Sequence, residues 1–514
     1  MANDDGSAAR AFHEATKHSL HSLQSHPHHL DWDNLPLPFK IYRGIDAEAL
    51  PRSTARSALP ALDAIAGQAP RRDPGEIPDR AALGRLLRGS LGILRRRRIA
   101  DGSLHDFRAA PCTGALYHVD AYLVAGELPD MAAGVYHFGP HDFSLRRLRR
   151  GDWRAAVLAA CGGADAVARA PLTVVLASTY WRNAWKYRAR AYRHVFWDGG
   201  TVLAQLLAQA SADGWTASVK LGFADRPIER LCALDPAREG VIALVPIGAV
   251  AAGEPAPNAA EPPPLRLETE PLSAREVDYR EIREAHEAGV LDDGGEAVRW
   301  TANAPRAAPP AVAGDLVAIR GERAAAGDPL EIVVERRGST RIFARRAVSR
   351  TALAQLLEAA CAPLAADYRV EESRSLVDLH LVVHAVEGVA PGGYRWRPES
   401  AALERLVAGE HRREAGRLAL GQALGADAAV DVYAIADLDA VLGALGTRGY
   451  RAATLDGGIG GGRLYLASYA QQLGATGLTF FDDDVARFFG LDPRRYGVMF
   501  LTAAGVPAAP RARA

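Results

Sequence analysis

GVYHFGPHDFSLRRLRRG, residues 134–151, aligns without a gap on GGYRWRPESAALERLVAG, residues 392–409. Several aligned residues are identical, and each lies 258 positions from its counterpart; Tyr136, for example, aligns with Tyr394. A long-period repeat of this kind predicts that the chain contains two copies of one domain.

Other segments of the two halves keep the same register. Four pairs match at the same separation or after a slip of one residue: DAYLV (120–124) with DLHLV (378–382), RAYRHVFWDGG (190–200) with RGYRAATLDGG (448–458), LGFADRPIERLCALDP (221–236) with LTFFDDDVARFFGLDP (478–493), and GVIALVPIG (240–248) with GVMFLTAAG (497–505). Chance does not keep one register over so much of a chain. We therefore expect a tandem duplication that folds as a pseudo-dimer, in which one chain imitates a two-fold homodimer.

The composition changes between the two copies. Residues 253–271, GEPAPNAAEPPPLRLETEP, are rich in Pro and Ala and predict a linker, which a helical stretch follows. The predicted organisation is an N-terminal domain with an N-terminal extension over residues 1–250, a Pro/Ala-rich linker with one helix over 251–320, and a C-terminal domain over 321–514.

Hydrophobic spacing predicts both helices and strands within each copy. The apolar runs LTVVLAS (172–178) and GVIALVPIG (240–248) are typical of buried strands, whereas VLAQLLAQA (202–210) has helical spacing. The expected fold class is α+β.

The overall charge argues against nucleic-acid and membrane functions. The chain has 61 basic and 61 acidic residues, so no net field draws it to nucleic acid or to an anionic membrane. The N-terminus lacks the apolar core of a signal peptide, and no run of about 18 apolar residues occurs. We expect a cytoplasmic protein that neither binds nucleic acid nor spans a membrane.

Cysteine and histidine spacing indicates neither a disulfide framework nor a metal site. The cysteines lie far apart and form no CxxC motif: Cys112, Cys161, Cys232 and Cys361. The histidines near the N-terminus lack nearby cysteines or a clear HxxxH pair: His13, His18, His21, His26, His28 and His29. The expected metal content is none.

The two copies differ where chemistry would be placed. The N-terminal copy has APCTGALYH (110–118), a small-residue turn that lets a planar ligand approach the backbone, and Glu372 stands opposite its Gly114. The C-terminal copy has RRGSTRIF (336–343), whose counterpart is AGQAPRRD (66–73). Four residues of RRGSTRIF offer forked donors, charge and a hydroxyl suited to a phosphate group: Arg336, Arg337, Ser339 and Arg341.

A Lys-Tyr pair is also present in one copy only, because Lys186 and Tyr187 correspond to Ala444 and Leu445. These losses are complementary, which predicts one composite site between the copies. Its ligand would be flat at one end and phosphorylated at the other, as flavin mononucleotide (FMN) is.

Residues 183–194, NAWKYRARAYRH, have three possible interpretations. As an ordinary surface helix, the stretch would place Lys186, Arg190 and Arg193 on one face. As a nucleic-acid site, it would expose interleaved aromatic and basic side chains. As part of an active site, it would surround Lys186 with arginines that lower its pKa. A second basic run, RRRR (95–98), is expected to be a solvated loop.

The chain resembles the nitroreductase-like flavoprotein superfamily and, within it, the SagB/ThcOx group of azoline dehydrogenases, which accompany thiazole and oxazole formation in ribosomally made peptides. The segments that carry the resemblance are HEATKHS (13–19), DWDNLPLPFKIY (31–42), RAAPCTGALYHVDAYLV (108–124), GVYHF (134–138), KYRARAYR (186–193), LGFADRPIERLCALDP, RRGSTRIF and FFDDDVARFFGLDP. The resemblance implies two domains, each with a central, mostly antiparallel sheet flanked by helices.

The resemblance also implies a set of site residues. The FMN phosphate would be bound by Arg336 or Arg337, Ser339 and Arg341. The isoalloxazine ring would lie beside Pro111, Cys112, Thr113, Gly114 and Leu116. The other domain would line the ring with Gly477, Leu478 and Thr479. Lys186 and Tyr187 match a pair implicated in catalysis. The family usually has serine at the position of Cys112. Since the second copy of the site has lost its chemistry, we expect a single FMN per chain.

Three functional classes remain open. The first is an FMN-dependent dehydrogenase, or oxidase, that converts an azoline or similar heterocycle of a peptide-derived substrate into an aromatic or unsaturated product, with a cyclodehydratase-type partner. The second is an NAD(P)H-dependent nitro or quinone reductase, or another flavin oxidoreductase of the same fold. The third is a non-catalytic scaffold of a cyclodehydratase-type complex. The chain would act as a monomeric pseudo-dimer or as a homodimer.

Overall fold

The fold is described from a computed structural model. It covers residues 3, 5–25, 28–53, 55–98, 102, 104–250, 261–305, 311–320 and 327–508. His26 and residues 251–260 of the predicted linker lie outside this range.

The N-terminal half is built on an antiparallel sheet with the strand order β1-β6-β5-β4-β7-β8. Its strands, together with those of a separate hairpin β2-β3, are β1 (Ala47–Ala49), β2 (Ile93–Arg98), β3 (Leu104–Arg108), β4 (Val119–Ala125), β5 (Gly134–Gly139), β6 (Ser144–Arg150), β7 (Leu172–Thr179) and β8 (Glu239–Ile247). Every residue of β4, β7 and β8 is buried, so both faces of the sheet centre are covered.

The C-terminal half repeats this sheet. Its strands are β9 (Leu316–Ala318), β10 (Phe343–Ala344), β11 (Asp378–Val383), β12 (Gly392–Arg397), β13 (Ala402–Ala408), β14 (Val430–Asp437), β15 (Gly474–Gly477) and β16 (Tyr496–Pro507). The order β9-β13-β12-β11-β14-β16 matches the N-terminal order strand for strand, with β10 and β15 added at β16. The predicted α+β class, with two domains that share one sheet order, is confirmed.

Helices pack on both sheets and between them. Those of the N-terminal half are α1 (Ser7–Ala15), α2 (Leu20–Ser25), α3 (Ala61–Ile65), α4 (Arg80–Ser90), α5 (Arg154–Ala160), α6 (Asp165–Ala168), α7 (Tyr180–Tyr187), α8 (Ala191–Ala212) and α9 (Asp225–Leu231). The others are α10 (Arg280–Glu287), α11 (Gly294–Ala302), α12 (Leu330–Arg336), α13 (Arg350–Ala360), α14 (Arg412–Leu418), α15 (Ala423–Asp427), α16 (Leu438–Leu445), α17 (Arg448–Ala470) and α18 (Asp482–Phe488). Among the described residues, no helix combines the length and apolar character that a membrane span requires.

The long helices α8 and α17 cross at equivalent glycines, which marks the pseudo-two-fold axis. A Cβ atom on Gly200 would lie 2.6 Å from the carbonyl carbon of Gly458, and one on Gly458 would lie 2.5 Å from the carbonyl oxygen of Trp197. Any side chain would therefore force the helices apart at this point. The repeated DGG of the sequence thus serves close packing between the two halves.

Two equivalent buried ion clusters hold the halves together. Arg190 and Arg193 of the N-terminal half contact Asp482 at 3.0 and 2.5 Å, and Arg448 and Arg451 contact Asp225 at 2.6 and 3.0 Å. Burial alone would raise the pKa of each aspartate, but the paired arginines lower it below the usual value.

The structure corrects two details of the sequence analysis. Within its described residues, 261–305 and 311–320, the predicted linker contains two helices, α10 and α11, rather than one, and β9 already joins the second sheet. The basic run at 95–98 is part of strand β2 and not a loop, because it pairs with β3.

Candidate functional site

The small-residue turn is held by an aspartate that the sequence analysis did not single out. Asp198 on α8 accepts hydrogen bonds from the Thr113 backbone N–H at 2.9 Å and from the Thr113 hydroxyl at 2.8 Å. It also contacts the buried His118 ring at 2.8 Å. The turn contains a short 3₁₀ segment (Thr113–Ala115) in which Gly114 has a φ of 67°, a conformation that favours glycine. One buried carboxylate therefore fixes the backbone of this turn.

The thiol of Cys112 is used within the turn. Its Sγ donates to Asp198 at 3.1 Å and accepts from the Tyr117 backbone N–H at 3.1 Å. Burial and the Asp198 charge raise the pKa of Cys112 well above its usual value, so the thiol stays protonated. Its side chain supports the turn.

Lys186 and Tyr187 lie beside this turn, in the last turn of α7. A Cβ atom on the exposed Gly114 would meet the Tyr187 hydroxyl at 2.9 Å, and the Lys186 Nζ lies 5.5 Å from the Tyr187 ring centre. Burial, and then the charge of Asp198, raise the pKa of Tyr187, so its hydroxyl remains a proton-bearing donor near neutral pH. The structure thus brings the Lys-Tyr pair and the turn together.

The phosphate-loop candidates reach the turn from the other domain. The Arg337 guanidinium donates to the carbonyl oxygens of Ala109 and Arg108 at 2.6 and 2.9 Å, just before the turn begins. Arg336 instead pairs with Asp328 at 2.7 Å. The structure therefore directs these two guanidinium groups to protein atoms, whereas the side chain of Arg341 is exposed.

The predicted ring-lining segment adjoins this loop. Strand β15 ends at the exposed Gly477, whose N–H donates to the Tyr465 hydroxyl, and this hydroxyl lies 3.4 Å from Ser339 Oγ. Leu478 is half-buried, and Thr479 Oγ1 is buried with no hydrogen-bond partner among the described residues. Tyr465 on α17 therefore joins two predicted parts of the site.

An aromatic layer connects the turn with the segment after Gly477. Tyr187 contacts His194 edge-on with centroids 4.6 Å apart, and His194 stacks on Trp197 at 4.9 Å. Trp197 then contacts Phe480 and Phe500 at 5.8 and 6.0 Å. Burial lowers the pKa of His194 well below its usual value, so its ring is neutral and packs as an aromatic group.

These residues fit a planar ligand that carries a phosphate. Tyr187, the half-buried member of the aromatic layer, offers a ring contact. The buried Thr479 Oγ1 and Trp197 Nε1 have no hydrogen-bond partner in the part of the chain that the structure describes. The exposed Arg341 supplies positive charge at the other end.

The structure rejects the surface-helix interpretation of residues 183–194. The chain breaks at Arg188, between α7 and α8, and Arg190 and Arg193 are buried against Asp482. Their charges are thus paired, and they do not form the cationic surroundings that we expected for Lys186. Trp185 and Tyr192 are buried too, so the stretch does not present the exposed alternation expected of a nucleic-acid site.

Arg188 holds a backbone conformation that suits glycine. Its φ and ψ are 51° and −141°, and the equivalent residue of the other copy is Gly446, with 61° and −157°. We expect Arg188→Gly to be more stable than Arg188→Ala by about 1–2 kcal/mol, because both lose the side chain but only glycine relieves the strain. Chemical denaturation measures the difference. Gly446→Ala is the mirror control and should destabilise; equal stability of the two Arg188 variants would show that the backbone relaxes.

A separate cavity of about 620 Å³ opens on the N-terminal domain, away from this site. Its buried Lys40 is paired with Glu239 at 2.7 Å, and its Arg238 is paired with Glu276. Because these charges are already neutralised within the protein, we place the chemistry at the interface between the domains.

The two matching antiparallel sheets and their helices have the nitroreductase fold, present here twice in one chain. Residues 75–249, in the N-terminal half, match the sequence profile of the nitroreductase family.

Three known proteins are similar to this chain or to part of it. A Methanocaldococcus jannaschii protein named "Putative nitroreductase MJ1384" is 25% identical over 143 residues, which are 28% of this chain and 70% of that protein. The crystal structure of a putative nitroreductase from Anabaena variabilis superposes on this chain with a TM-score of 0.76 at 26% identity. The match covers 98% of this chain and 99% of that one. A chain of the E. coli microcin synthetase McbBCD complex with truncated pro-MccB17 bound matches 49% of this chain and 89% of its own length, at 20% identity and a TM-score of 0.31.

Proposed function

We propose that the protein is an FMN-dependent oxidoreductase with a single flavin site between its two tandem domains. The complementarity of the copies carries this proposal: the N-terminal copy supplies the Asp198-held turn and aromatic residues, and the C-terminal copy supplies the cationic loop. In this proposal Ser339 and Arg341 bind the phosphate. Arg337 joins the cationic loop to the turn, and Arg336 positions the loop through its contact with Asp328.

The ring contacts complete the proposed cofactor site. The residues that would face or border the ring are Pro111, Cys112, Thr113, Gly114 and Leu116 from one domain and Gly477, Leu478 and Thr479 from the other. The proposed domains are those predicted from the repeat, with the tandem duplication as their origin. All four cysteines are free, which fits a reducing cytoplasm.

We further propose that the substrate is an azoline or similar heterocycle in a peptide-derived molecule. Oxidation of an azoline to an azole removes two electrons and two protons, and bound FMN would supply the two-electron acceptor. Lys186, which lies beside the turn and the ring-facing Tyr187, would take the acidic proton from the heterocycle carbon. Tyr187, whose hydroxyl stays protonated, would orient the heterocycle by donating a hydrogen bond. A cyclodehydratase-type partner would deliver the azoline.

The absorption spectrum of the purified protein, with the released cofactor quantified per chain, tests the proposal. We expect a single FMN per chain. Reoxidation by oxygen after reduction with a synthetic thiazoline peptide would favour the azoline oxidase, whereas rapid bleaching by NAD(P)H would favour a nitro or quinone reductase of the same fold. Protein that stays colourless after incubation with FMN would contradict both flavin-dependent functions, and only the non-catalytic scaffold would remain.

A further inference from the structure

A cavity of about 420 Å³ lies where the pseudo-two-fold axis places the counterpart of the proposed flavin site. On α8 its wall contains Leu207 and Ser211, the positions that Tyr465 and Tyr469 occupy on α17. The residues of the other domain that close it are Pro363, Leu364, Ala365, Glu372 and Arg463. The second site has therefore kept its space.

The loop that borders this cavity keeps part of its cationic character. Gly67 and Arg71 line the cavity and correspond in the repeat to Arg337 and Arg341. Arg71 is exposed, as Arg341 is. The counterpart loop has thus lost the arginines equivalent to Arg336 and Arg337 and retained the one equivalent to Arg341.

The features that suit a flat ring are absent from the counterpart. The residues equivalent to Tyr187, His194 and Trp197 are aliphatic: Leu445, Ala452 and Leu455. The turn equivalent to residues 111–117 is held by Asp456, which binds Arg369 and the Ser375 hydroxyl. Charged and bulky side chains occupy this segment, so a planar ring would find neither an aromatic layer nor a bare backbone.

Two further arginines add positive charge to the cavity wall. Arg463 is buried and donates to the carbonyl oxygens of Ala362 and Pro363 at 2.5 and 3.0 Å. Arg169 makes only a 3.5 Å contact with Asp165, whose side chain is 84% exposed. This exposed pair is weak, so the Arg169 guanidinium can turn toward an anion at little cost.

The same wall contains polar atoms that the protein does not satisfy. Ser211 Oγ, Ser218 Oγ and Trp215 Nε1 are buried and have no hydrogen-bond partner within the described ranges. An unsatisfied buried polar group is destabilising, so three in one wall indicate a site that a polar ligand completes.

We propose that this cavity binds a small organic oxyanion, a phosphate- or carboxylate-bearing metabolite without a flat aromatic ring. Arg71, Arg169 and Arg463 outnumber the two carboxylates of the wall, Asp165 and Glu372, and supply the charge that selects the anion, and the missing aromatic layer excludes flavin. The two sites of the pseudo-dimer have thereby diverged in ligand, one for a redox cofactor and one for an anionic small molecule.

Isothermal titration of FMN-saturated protein with orthophosphate, and separately with succinate, tests this inference. Saturating FMN fills the proposed flavin site, including the loop that contains Arg341. Binding of orthophosphate or succinate is then assigned to the second cavity. We expect Arg71→Gln to weaken binding at least about tenfold, since a charge-assisted hydrogen bond is lost, and to keep its flavin content. The matched control Arg341→Gln should keep the affinity for the probe.

The outcomes separate the two sources of the oxyanion. Binding of phosphate alone assigns a phosphate ester, and binding of succinate alone assigns a carboxylate. Binding of neither probe, equal affinity of the Arg71→Gln variant, or two FMN molecules per chain would each overturn the inference. If the protein binds no FMN, the proposed function fails. The same titration of the protein as purified then still compares the probe affinities of the Arg71→Gln and Arg341→Gln variants, so the anion site is tested independently of the flavin site.

Discussion

Lys186→Ala is expected to purify with its full complement of FMN and to lose turnover by at least about a hundredfold, the contribution of a positioned general base. The cofactor contacts proposed above do not involve Lys186, whose Nζ lies over the Tyr187 ring at 5.5 Å. Stopped-flow reduction of the flavin by a synthetic thiazoline peptide measures the chemical step directly.

Two matched variants identify the role of the lysine. Lys186→Arg keeps the positive charge but cannot act as a base near neutral pH, so it should be as inactive as Lys186→Ala. Tyr187→Phe keeps the ring and removes only the hydroxyl, and we expect a smaller loss that falls mainly on the affinity for substrate. Full activity of Lys186→Ala would remove this residue from the mechanism, and full activity of Lys186→Arg would leave it an electrostatic role only.

Asp482→Asn is expected to destabilise the protein by about 3–5 kcal/mol, because it leaves the buried guanidinium groups of Arg190 and Arg193 without a counter-charge. Urea denaturation followed by circular dichroism measures the loss. The matched variant Asp225→Asn removes the equivalent charge from Arg448 and Arg451 and should cost a similar amount.

The pH dependence of this effect has a defined sign. The arginines lower the pKa of Asp482 in the folded protein, against the effect of burial, so its stabilising contribution is complete above the unfolded-state pKa of about 3.9. The advantage of the native protein over Asp482→Asn should therefore be constant near neutrality and shrink as the pH falls below about 4. A difference that grows toward low pH would contradict the ion-pair assignment.

The repeat made the architecture predictable. A separation that stays near 258 residues fixes which strands and helices must be equivalent, and the two sheets have the same strand order. The long apolar runs predicted as strands are β7 and β8, since their residues are buried throughout. The hairpin at 95–98 was missed because four successive arginines conceal a strand whose alternation is not hydrophobic.

The candidate site was predictable only in part. Differences between the copies pointed to the turn, the loop and the Lys-Tyr pair, which the structure brings together at the interface. Asp198 was visible as the aspartate of a repeated DGG, but conserved spacing within the chain does not say which backbone a carboxylate binds. The aromatic layer of Tyr187, His194 and Trp197 gave no recognisable motif, because its members come together only when α7 and α8 fold against each other.

The sequence by itself determined that the chain contains two α+β domains with matching elements, because periodicity and register are properties of residue order. The tertiary structure decided which charges are available for function. Arg190, Arg193 and Lys186 are neighbours in sequence, yet the first two are buried against an aspartate nearly 300 residues away. Electrostatic pairing depends on distance in space and on exclusion of water, and neither is encoded in local spacing.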